Sequence, residues 1–322
     1  MNKLALGVLF AKAVVRKKMS PFIVSWGVTH KCNLRCRYCG LHNWRFTREL
    51  GTEEIKDVIS QLYDHGTRVM KFTGGEPFLR EDIAELVNFS HDLGMYVSVS
   101  TNGYMFEDRI TKMKHLDSVS ISIDGPERIH DEIRGKGSYA VAEKALAAAR
   151  ARKINATIST VISSVNLTSL EYVLLLAKRF RVKAFFQPAI SNLLFGEESN
   201  PLSPEISGYR AAIRKLLHAK RRFAPVGNSF SGLKHLYFWP DARPINCHAG
   251  KIIFRLDNEG QVNYCSRSVG KSADLNIIKQ GVAHCLEQLK LSYGCAECWC
   301  YSLVELNLFC QGKIDTLLEM LR

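Results

Sequence analysis

Long hydrophobic runs are what this 322-residue sequence most plainly lacks. No stretch of about 18 apolar residues occurs, which excludes a helix that spans a bilayer. Low-complexity segments and internal repeats are also missing, apart from an alternation of apolar and amphipathic segments. The composition, 46% hydrophobic and 23% charged, is that of an ordinary globular protein, and the length suits one main domain plus a smaller one.

Cysteine, by contrast, is abundant. Ten cysteines are a high number for this length, and they cluster at the spacings of metal ligands rather than of a short secreted disulfide framework. Oxidised thiols cannot assemble a metal cluster, so these cysteines need a reducing compartment. We therefore expect a cytoplasmic protein.

The first cysteine group follows the apolar run Phe22–Val28. Cys32, Cys36 and Cys39 are spaced C-x3-C-x2-C. Three thiolates in one tight loop can hold a [4Fe–4S] cluster by three irons and leave the fourth iron open for a ligand. The alternatives are a structural zinc loop, which normally needs four protein ligands, and buried inert cysteines.

Polar motifs follow the cysteine triplet in a fixed order. Together with Tyr38, which directly precedes the third cysteine, they resemble the signature of the radical S-adenosylmethionine (SAM) superfamily over about residues 20 to 190. Each motif is weak alone, and the specificity lies in the order. The motifs are Gly74-Gly75-Glu76-Pro77, Ser100-Thr101-Asn102-Gly103, Ser122-Ile123-Asp124-Gly125-Pro126 and His130-Asp131 followed by Arg134.

The resemblance implies an enzyme with two cofactors, a [4Fe–4S] cluster held by the cysteine triplet and SAM bound to its open iron. An electron from the cluster breaks the S–C5′ bond of SAM, and the 5′-deoxyadenosyl radical abstracts hydrogen from a C–H bond. A reducing electron donor of the flavodoxin or ferredoxin type is the implied partner.

The resemblance implies that these motifs bind SAM, and the residue types of two of them suit such contacts. Gly74 and Gly75 let the backbone come close to a ligand where a Cβ would collide. Glu76 offers a carboxylate to the SAM ammonium group. Ser100 and Asn102 are two residues apart, so on an extended segment they face one side and reach towards the ribose hydroxyls.

Ser122 and Asp124 repeat that spacing on the next predicted strand. Arg134 is the candidate for the SAM carboxylate, because a planar guanidinium suits a bidentate partner. The alternative for each polar residue is turn or capping chemistry, since Asp124-Gly125-Pro126 forms an ordinary turn in most proteins. The expected SAM-binding residues are Tyr38, Gly74, Gly75, Glu76, Ser100, Asn102, Ser122, Asp124 and Arg134.

A second cysteine block lies near the C-terminus. Between Cys247 and Cys265 the sequence predicts a β-hairpin with its turn at Asn258–Gly260, and Cys295 and Cys298 form a later C-x2-C pair. The block resembles the SPASM extension or its shorter form, the twitch domain. No cysteine follows Cys298 six residues on, which favours the shorter form.

The resemblance implies a second, auxiliary [4Fe–4S] cluster ligated by Cys247, Cys265, Cys295 and Cys298. Such a cluster accepts the electron left on an oxidised substrate or, with one iron unligated by thiolate, binds the substrate directly. Whether Cys300 or Cys310 replaces one of the four stays open, and Cys285 is expected to pack on a helix. A zinc ribbon is the alternative, since four cysteines suit tetrahedral zinc equally well.

The apolar and amphipathic segments predict an α/β fold, a partial (β/α)6 TIM-like barrel. The resemblance of the second cysteine block implies, in addition, a small C-terminal Fe–S domain of twitch or SPASM type. The predicted strands are Phe22–Thr29, Val69–Thr73, Tyr96–Ser100, Ser118–Ile123, Ala156–Ile162 and Lys183–Gln187. The predicted helices are Thr52–His65, Glu81–Leu93, Phe106–Lys114, Tyr139–Lys153 and Leu167–Phe180. The predicted domains are an N-terminal helix (1–20), the barrel (21–204), a connecting helix and loop (205–244) and the auxiliary cluster domain (245–322).

Residues 1–19 are apolar and end in a basic cluster, which predicts a helix capping the bottom of the domain or one lying on a membrane surface. The net charge of +13 permits an anionic substrate, a lipid surface or RNA, but the basic residues are scattered and no nucleic-acid-binding module is evident. Only about 20 residues precede the barrel, which disfavours leader-guided peptide maturation. The leading hypothesis is therefore oxidation of a metabolite, sugar or lipid precursor. A peptide or cofactor maturase is second, an RNA-modifying enzyme third and a non-catalytic electron carrier last.

Overall fold

The computed structural model describes residues 6–10, 21–44, 46, 48–194, 198–241, 243–269, 274–290, 295 and 297–321. Its described strands number eight and form a mostly parallel sheet flanked by helices, the α/β class predicted from the sequence. Across this part of the chain, every helix is too short or too polar to span a bilayer.

The elements alternate as the sequence predicts. The strands are β1 (Ile23–Thr29), β2 (Val69–Gly74), β3 (Tyr96–Thr101), β4 (Ser118–Ser122), β5 (Asn155–Ile162), β6 (Lys183–Pro188), β7 (Ile253–Leu256) and β8 (Val262–Asn263). The α-helices are α1 (residues 6–10), α2 (Thr52–Asp64), α3 (Ile83–Asp92), α4 (Phe106–Ile110), α5 (Glu127–Arg134), α6 (Ser138–Ala151), α7 (Leu170–Phe180), α8 (Ile206–Arg221), α9 (Phe230–Leu236), α10 (Ile277–Gln280), α11 (Val282–Leu289), α12 (Tyr301–Cys310) and α13 (Ile314–Leu321).

The chain divides into two compact units. The first comprises residues 1–33, 41–119 and 248–294, and the second comprises residues 34–40, 120–247 and 295–322. The chain passes from the first to the second within β4. The domain boundaries drawn from the sequence at residues 20, 204 and 244 stay a prediction.

The first unit is built on the strand order β3-β2-β1-β7-β8. The first four of these run parallel, and β7 pairs with β1 in the register Ile23↔Ile253. Val24 and Trp26 of β1 and Phe72 of β2 are fully buried, and they alternate with partly buried residues such as Ser25 and Lys71. β8 returns antiparallel to β7 in the register Arg255↔Asn263, which confirms the predicted hairpin.

The second unit is built on the parallel pair β5–β6, in the register Thr157↔Lys183. Helices α6 and α7 pack on these strands through apolar faces that include Leu146 and Val173, both essentially fully buried. Val226 adds a parallel bridge to Ala184 of β6. Residues 223–244, expected to be a loop, contain helix α9, whose N-cap Ser229 accepts a hydrogen bond from Gly232 N.

Most of the predicted N-terminal helix lies outside the described residues. Residues 6–10 are helical, and the Phe10 ring is buried 5.3 Å from the ring of Phe22. Within the same short segment, Val8 and Leu9 are exposed. The basic cluster that follows is not among the described residues.

Candidate cofactor site

The Gly74-Gly75 pair fits against the chain segment that leads into the cysteines. A Cβ at Gly74 would lie 2.2 Å from the Thr29 carbonyl oxygen, and a Cβ at Gly75 would lie 2.1 Å from that of Lys31. Gly75 N donates to Thr29 O at 2.8 Å, and Glu76 N donates to Lys31 O at 2.8 Å. Both glycines are thus needed for the close approach of the chain's own backbone, and their predicted approach to a ligand stays a prediction.

Glu76 is the centre of a buried polar network in the first unit. Its side chain is fully buried, and its carboxylate oxygen Oε1 accepts hydrogen bonds from Thr101 Oγ1 at 2.7 Å and Phe78 N at 3.2 Å. Oε2 accepts from Asn102 N at 2.7 Å. These donors compensate for burying the carboxylate and fix the segment after β3. The direct contact of Glu76 with the SAM ammonium group stays a prediction.

Asn102 connects this network to the cysteine segment. Its Nδ2 donates to Asn33 Oδ1 at 3.0 Å and lies 4.0 Å from Cys32 Sγ, while its Oδ1 accepts from Tyr104 N at 2.9 Å. Cys32 itself is exposed. Ser100 is the half-buried penultimate residue of β3, and its predicted ribose contact stays a prediction.

A second buried network belongs to the second unit and is centred on Asp124. Arg134 Nε donates to Asp124 Oδ2 at 2.7 Å, and Tyr38 OH donates to the same oxygen at 3.2 Å. Asp124 Oδ1 accepts from Val161 N at 2.9 Å, and Asn166 Nδ2 donates to the Asp124 carbonyl at 2.8 Å. The Asp124 side chain is fully buried and that of Arg134 is 8% exposed, so this is an interior ion pair.

The same guanidinium faces the cysteine loop. Arg134 Nη1 lies 4.0 Å from Cys36 Sγ, and its central carbon lies 5.5 Å from the centroid of the Tyr38 ring. Although burial opposes the charge, the Asp124 carboxylate raises the pKa of Arg134 well above its usual value. The site therefore keeps a permanent positive charge beside a cysteine sulfur.

Cys36 and Cys39 both lie half-buried in this unit, and Cys39 N donates to Cys36 O at 2.9 Å. Burial raises the pKa of the Cys36 thiol, while the Arg134 charge opposes that rise. Burial also raises the pKa of Tyr38 well above its usual value, so its hydroxyl stays a donor to Asp124. An apolar cluster of Tyr38, Ile129, Ile133 and Leu202 packs beneath the two cysteines.

His130 supports the Asp124 segment from within α5. Its Nδ1 accepts from Asp124 N at 3.2 Å, and its ring is edge-on to Tyr139 at 5.9 Å. Burial, with the nearby Arg134 charge, lowers the pKa of His130 to about 4. It is therefore neutral at neutral pH, as accepting at Nδ1 requires. Ser122, the last residue of β4, is half-buried, and its predicted role stays a prediction.

The donor chemistry fits an iron–sulfur cluster. Iron in such clusters is bound by thiolates, and the loop offers Cys36 and Cys39 beside a fixed cation, whose charge offsets part of the rise in the Cys36 pKa that burial causes. Within the described residues, no group of three or more His, Cys, Asp and Glu side chains converges as a preformed metal site. The fit therefore rests on the kind of donor and its electrostatic surroundings.

The C-terminal cysteines are divided between the units. Cys265 follows β8 in the first unit, where its N–H donates to Ser268 Oγ at 3.0 Å. Cys247, Cys295 and Cys298 belong to the second unit. Cys298 is buried, and its carbonyl lies 3.0 Å from His235 Nε2.

Two further cysteines lie on α12 or at its start in the second unit. Cys300 Sγ lies 3.3 Å from Ser302 Oγ, and burial raises the pKa of Cys310 to about 11. Cys285, in the first unit, is fully buried on α11, which confirms its expected packing on a helix, and burial raises its pKa to about 11.

Several supporting residues were missed from the sequence. Thr101 and Asn33 stand next to predicted site residues, so their adjacency was the available signal. Asn166 gave none, because it lies beyond β5 and reaches Asp124 only through the fold. Helix α5 was not predicted either, since its eight residues are mostly charged and carry few apolar side chains.

Comparison with protein families gives a match to the radical SAM superfamily over residues 26–177. Fe-coproporphyrin III synthase of Methanosarcina barkeri is 37% identical over 136 residues, 40% of this chain and 34% of the relative. Mycofactocin maturase MftC of Mycolicibacterium smegmatis is 30% identical over 270 residues, 81% of this chain and 69% of the relative. AdoMet-dependent heme synthase of Nitratidesulfovibrio vulgaris is 32% identical over 170 residues, 51% of this chain and 46% of the relative. The chain thus spans a third of the first relative, about two thirds of the maturase and under half of the heme synthase.

Solved structures give the same fold. SuiB of Streptococcus suis bound to S-adenosylmethionine superposes with a TM-score of 0.68 at 14% identity, over 85% of this chain and 68% of that chain. His-tagged anSMEcpe with bound AdoMet superposes with a TM-score of 0.68 at 18% identity, over 94% of this chain and 98% of that chain. At these identities the likeness is one of fold.

Proposed function

Since the chain belongs to the radical SAM superfamily, whose members use a [4Fe–4S] cluster and SAM, we propose that Cys32, Cys36 and Cys39 hold that cluster with one iron open for SAM. When bound, the two cofactors supply electron-driven cleavage of the sulfonium and a radical that abstracts hydrogen. The observation that carries the proposal is the buried Asp124–Arg134 pair, which brings a fixed cation to Cys36 within one unit.

The residues of the second unit bind and orient in this proposal. A guanidinium has five N–H donors, and Asp124 engages Nε, so Arg134 has further donors for the SAM carboxylate. Tyr38 holds the loop by its hydroxyl and its buried ring. Asp124 positions Arg134, and Ser122, the last residue of β4 and two residues before Asp124, supplies a hydroxyl to SAM.

The residues of the first unit perform the corresponding task. Gly74 and Gly75 admit the segment that carries Cys32, and Glu76 fixes Asn102. Asn102 and Ser100 then present an amide and a hydroxyl to the ribose. The short hydrogen bonds to the Glu76 carboxylate mean that this segment is ordered by its own chain.

We further propose an auxiliary [4Fe–4S] cluster ligated by Cys247, Cys265, Cys295 and Cys298, which accepts an electron during a net oxidation. In support, the similarity to the maturase extends over 81% of the chain, well beyond the residues matched by the superfamily. Cys300 and Cys310 remain alternative ligands, and zinc remains the alternative metal.

For the substrate, we propose a peptide that is oxidised at a C–H bond. The relative aligned over most of the chain is named a maturase. Of the structures with the same fold, SuiB is bound to the precursor peptide SuiA and anSMEcpe to the Kp18Cys peptide. This reverses the order expected from the sequence, where a metabolite stood first. An iron porphyrin is the second candidate, favoured by the relatives named for Fe-coproporphyrin III and heme synthesis.

The remaining partners follow from the chemistry. The proposed reaction needs an electron donor of flavodoxin or ferredoxin type, and the thiol ligands need a reducing compartment such as the cytoplasm. Peripheral membrane contact through residues 1–19 stays a proposal without structural support, because most of these residues lie outside the described part of the chain.

The test is anaerobic reconstitution with iron and sulfide, followed by measurement of 5′-deoxyadenosine released from SAM with dithionite. About eight irons per chain are expected for two four-iron clusters. Cys36→Ala should abolish 5′-deoxyadenosine formation and lower the iron content by about half. Cys285→Ala, which removes a buried thiol outside the proposed ligand set, is the control and should keep both.

Two results would contradict the proposal. Zinc bound without iron would assign the cysteines to structural sites, and full activity of Cys36→Ala would remove the triplet from the reaction. Substrate class is resolved separately, by mass spectrometry of peptides encoded near this gene and of iron porphyrins after incubation with the reconstituted enzyme.

A further inference from the structure

Three helices of the second unit end in the same way. At the ends of α6, α7 and α8 the residues Lys153, Arg181 and Phe223 have φ values of 57°, 58° and 61°, the left-handed region. Each helix closes with the same pair of bonds, the last made by Ile154 N to Ala149 O at 2.9 Å, Val182 N to Ala177 O at 2.9 Å and Ala224 N to Ala219 O at 3.0 Å. This is the Schellman motif, whose left-handed position is normally glycine.

The first unit uses glycine at the equivalent positions. Gly66 follows α2 with φ 105° and Gly94 follows α3 with φ 94°, each within the same bonding pattern. Gly312 closes α12 of the second unit in the same way, with φ 84°, so the large side chains that replace glycine are particular to the ends of α6, α7 and α8. Because the left-handed backbone does not favour a large side chain, its presence at these three positions suggests a role for the side chain itself.

The three residues lie along one edge of the unit. Lys153 and Arg181 directly precede the parallel strands β5 and β6. Phe223 precedes a third parallel segment, because Ala184 N donates to Pro225 O at 2.9 Å and Gly227 N donates to Ala184 O at 2.7 Å. Neighbouring parallel segments are about 5 Å apart, so their starts form a row.

This edge is strongly basic. Residues 150–154, 178–183 and 220–226 contain ten basic residues and no Asp or Glu. Lys183 and Lys220 are paired with Glu319 at 2.7 Å, and Arg179 with Glu143 at 2.7 Å. We define the basic edge as the exposed side chains of these segments: Arg150, Arg152, Lys153, Lys178, Arg179, Arg181, Arg221, Arg222 and Phe223.

The exposed side chain of Phe223 distinguishes the basic edge from an ordinary solvated surface. Cations at helix C-termini complement the helix dipole, which accounts for part of the charge. The dipole does not account for a phenyl ring that is 96% exposed between Arg222 and the start of a strand segment. An exposed aromatic side chain next to two arginines in the chain, on an edge rich in basic residues, has the composition of an interfacial membrane contact.

We propose that the basic edge docks on an anionic phospholipid surface, with the Phe223 ring inserted at the headgroup boundary and the flanking arginines against the lipid phosphates. An acidic protein fits less well, because the core of a protein interface needs several apolar side chains packed together. Of the large hydrophobic side chains exposed in the described part of this unit, only Phe223 belongs to the basic edge. Diffuse charge around one projecting ring suits a fluid surface without fixed pockets.

The experiment uses the full, reconstituted chain and sedimentation with phosphatidylcholine vesicles, with or without about 30% phosphatidylglycerol. Binding should require the anionic lipid and weaken with salt. Phe223→Gly should reduce binding about tenfold. Because glycine suits the left-handed backbone, this variant should keep or raise the melting temperature, which separates lost docking from lost folding.

Two further variants test charge and specificity. Arg221→Gln and Arg222→Gln should each weaken binding about fivefold. Ile314→Ser is the matched control. Ile314 is 71% exposed in the same unit but is not part of the basic edge. It begins α13, five residues before Glu319, which contacts Lys183 and Lys220. The control variant should bind vesicles like the unaltered chain.

A direct probe complements sedimentation. Phe223→Trp should be quenched by brominated acyl chains in the anionic vesicles, whereas Ile314→Trp should not. Equal binding to neutral vesicles, or vesicle binding unchanged by Phe223→Gly, would overturn the proposal and place any membrane contact elsewhere in the chain. Absence of vesicle binding, with salt-dependent capture of an acidic flavodoxin that Phe223→Gly weakens, would overturn it in favour of a protein partner.

Discussion

The structure allows a quantitative prediction of how much the ion pair between Asp124 and Arg134 contributes to the free energy of unfolding. Asp124→Asn keeps the shape of the side chain and removes its charge. The Asp124 side chain is fully buried, Arg134 is 8% exposed, and the pair lies at 2.7 Å. The guanidinium stays charged without its partner, and an uncompensated interior charge costs about 3–5 kcal/mol in the free energy of unfolding.

The hydrogen-bond count reinforces that loss. Asp124 accepts through Oδ1 from Val161 N and through Oδ2 from Arg134 Nε and Tyr38 OH. An asparagine has one oxygen, so its NH2 group must face donors on one side or the other. Arg134→Met should cost a similar amount, because it leaves the carboxylate buried without its cation. In the double variant neither charge remains, and we expect a coupling energy of about 2–4 kcal/mol.

The assay is urea unfolding of the four anaerobically reconstituted proteins, followed by far-UV circular dichroism, with iron content measured so that cluster loss is not counted as lost pairing. The control is the exposed ion pair between Arg37 of the cysteine loop and Glu132 of α5, the helix that also carries Arg134. The two charged groups are 3.1 Å apart, and the side chains are 44% and 41% exposed. Its double-variant cycle should give less than about 1 kcal/mol. A coupling below about 0.5 kcal/mol for the buried pair would refute the reasoning.

Three other substitutions have distinct expected outcomes. Burial raises the pKa of Glu305 to about 7, so the native protein loses stability as pH rises from the ordinary carboxyl value of 4.5 to about 7. Glu305→Gln should remove up to about 3 kcal/mol of that loss in the free energy of unfolding. Urea midpoints of both proteins at pH 5 and pH 8 measure the change, and an unchanged pH dependence in the variant would contradict it. Gly75→Ala should lower the free energy of unfolding by about 1–3 kcal/mol and reduce the iron content after reconstitution, because its Cβ would lie 2.1 Å from Lys31 O. Gly51→Ala is the control and should change neither, because its Cβ would lie 3.7 Å from its nearest neighbour. Tyr38→Phe removes one buried hydroxyl bond and should cost about 1 kcal/mol in the same unfolding assay, with a loss above about 3 kcal/mol assigning the hydroxyl a larger role.

The strands and most helices were predictable because each depends on local patterning. β3 shows it well: its burial alternates residue by residue from Tyr96 to Thr101. The ends of α2 and α3 were marked by Gly66 and Gly94, both of which adopt positive φ. Elements that depend on one residue and its sequence neighbours can therefore be predicted before the fold is known.

The position of the C-terminal hairpin was not predictable in the same way. Its turn at Asn258–Gly260 is local and was expected, but β7 also pairs in parallel with β1, about 230 residues earlier. The Trp26 indole N–H donates to Asp257 O at 3.0 Å, which helps to fix that docking. A four-residue strand carries no sequence signal for its partner, since register depends on the assembled sheet.

The candidate site shows the same division between residue type and partner. The glycine pair was predicted to let the backbone approach a ligand, which stays a prediction, whereas the structure shows the Thr29 and Lys31 carbonyls close to the two glycines. Glu76 and Asp124 were predicted to contact SAM, and those contacts stay predictions. What the sequence did not show is that each is fully buried and accepts short hydrogen bonds from its own chain. A motif constrains which residue is tolerated, but the fold decides what that residue contacts.

These two carboxylates have the same physical effect, each within its own unit. Glu76 orders the segment that presents Asn102, and Asp124 holds Arg134 in one orientation beside Cys36. A buried carboxylate is costly unless its donors are in place, so the unit folds with those donors already positioned. The ordering entropy is then expended during folding rather than when a ligand binds, and binding loses less free energy to it. Motif carboxylates can therefore strengthen ligand binding through the residues they hold in place, whether or not they also touch the ligand. A stability cycle, and not activity alone, is the measurement that separates positioning from direct contact.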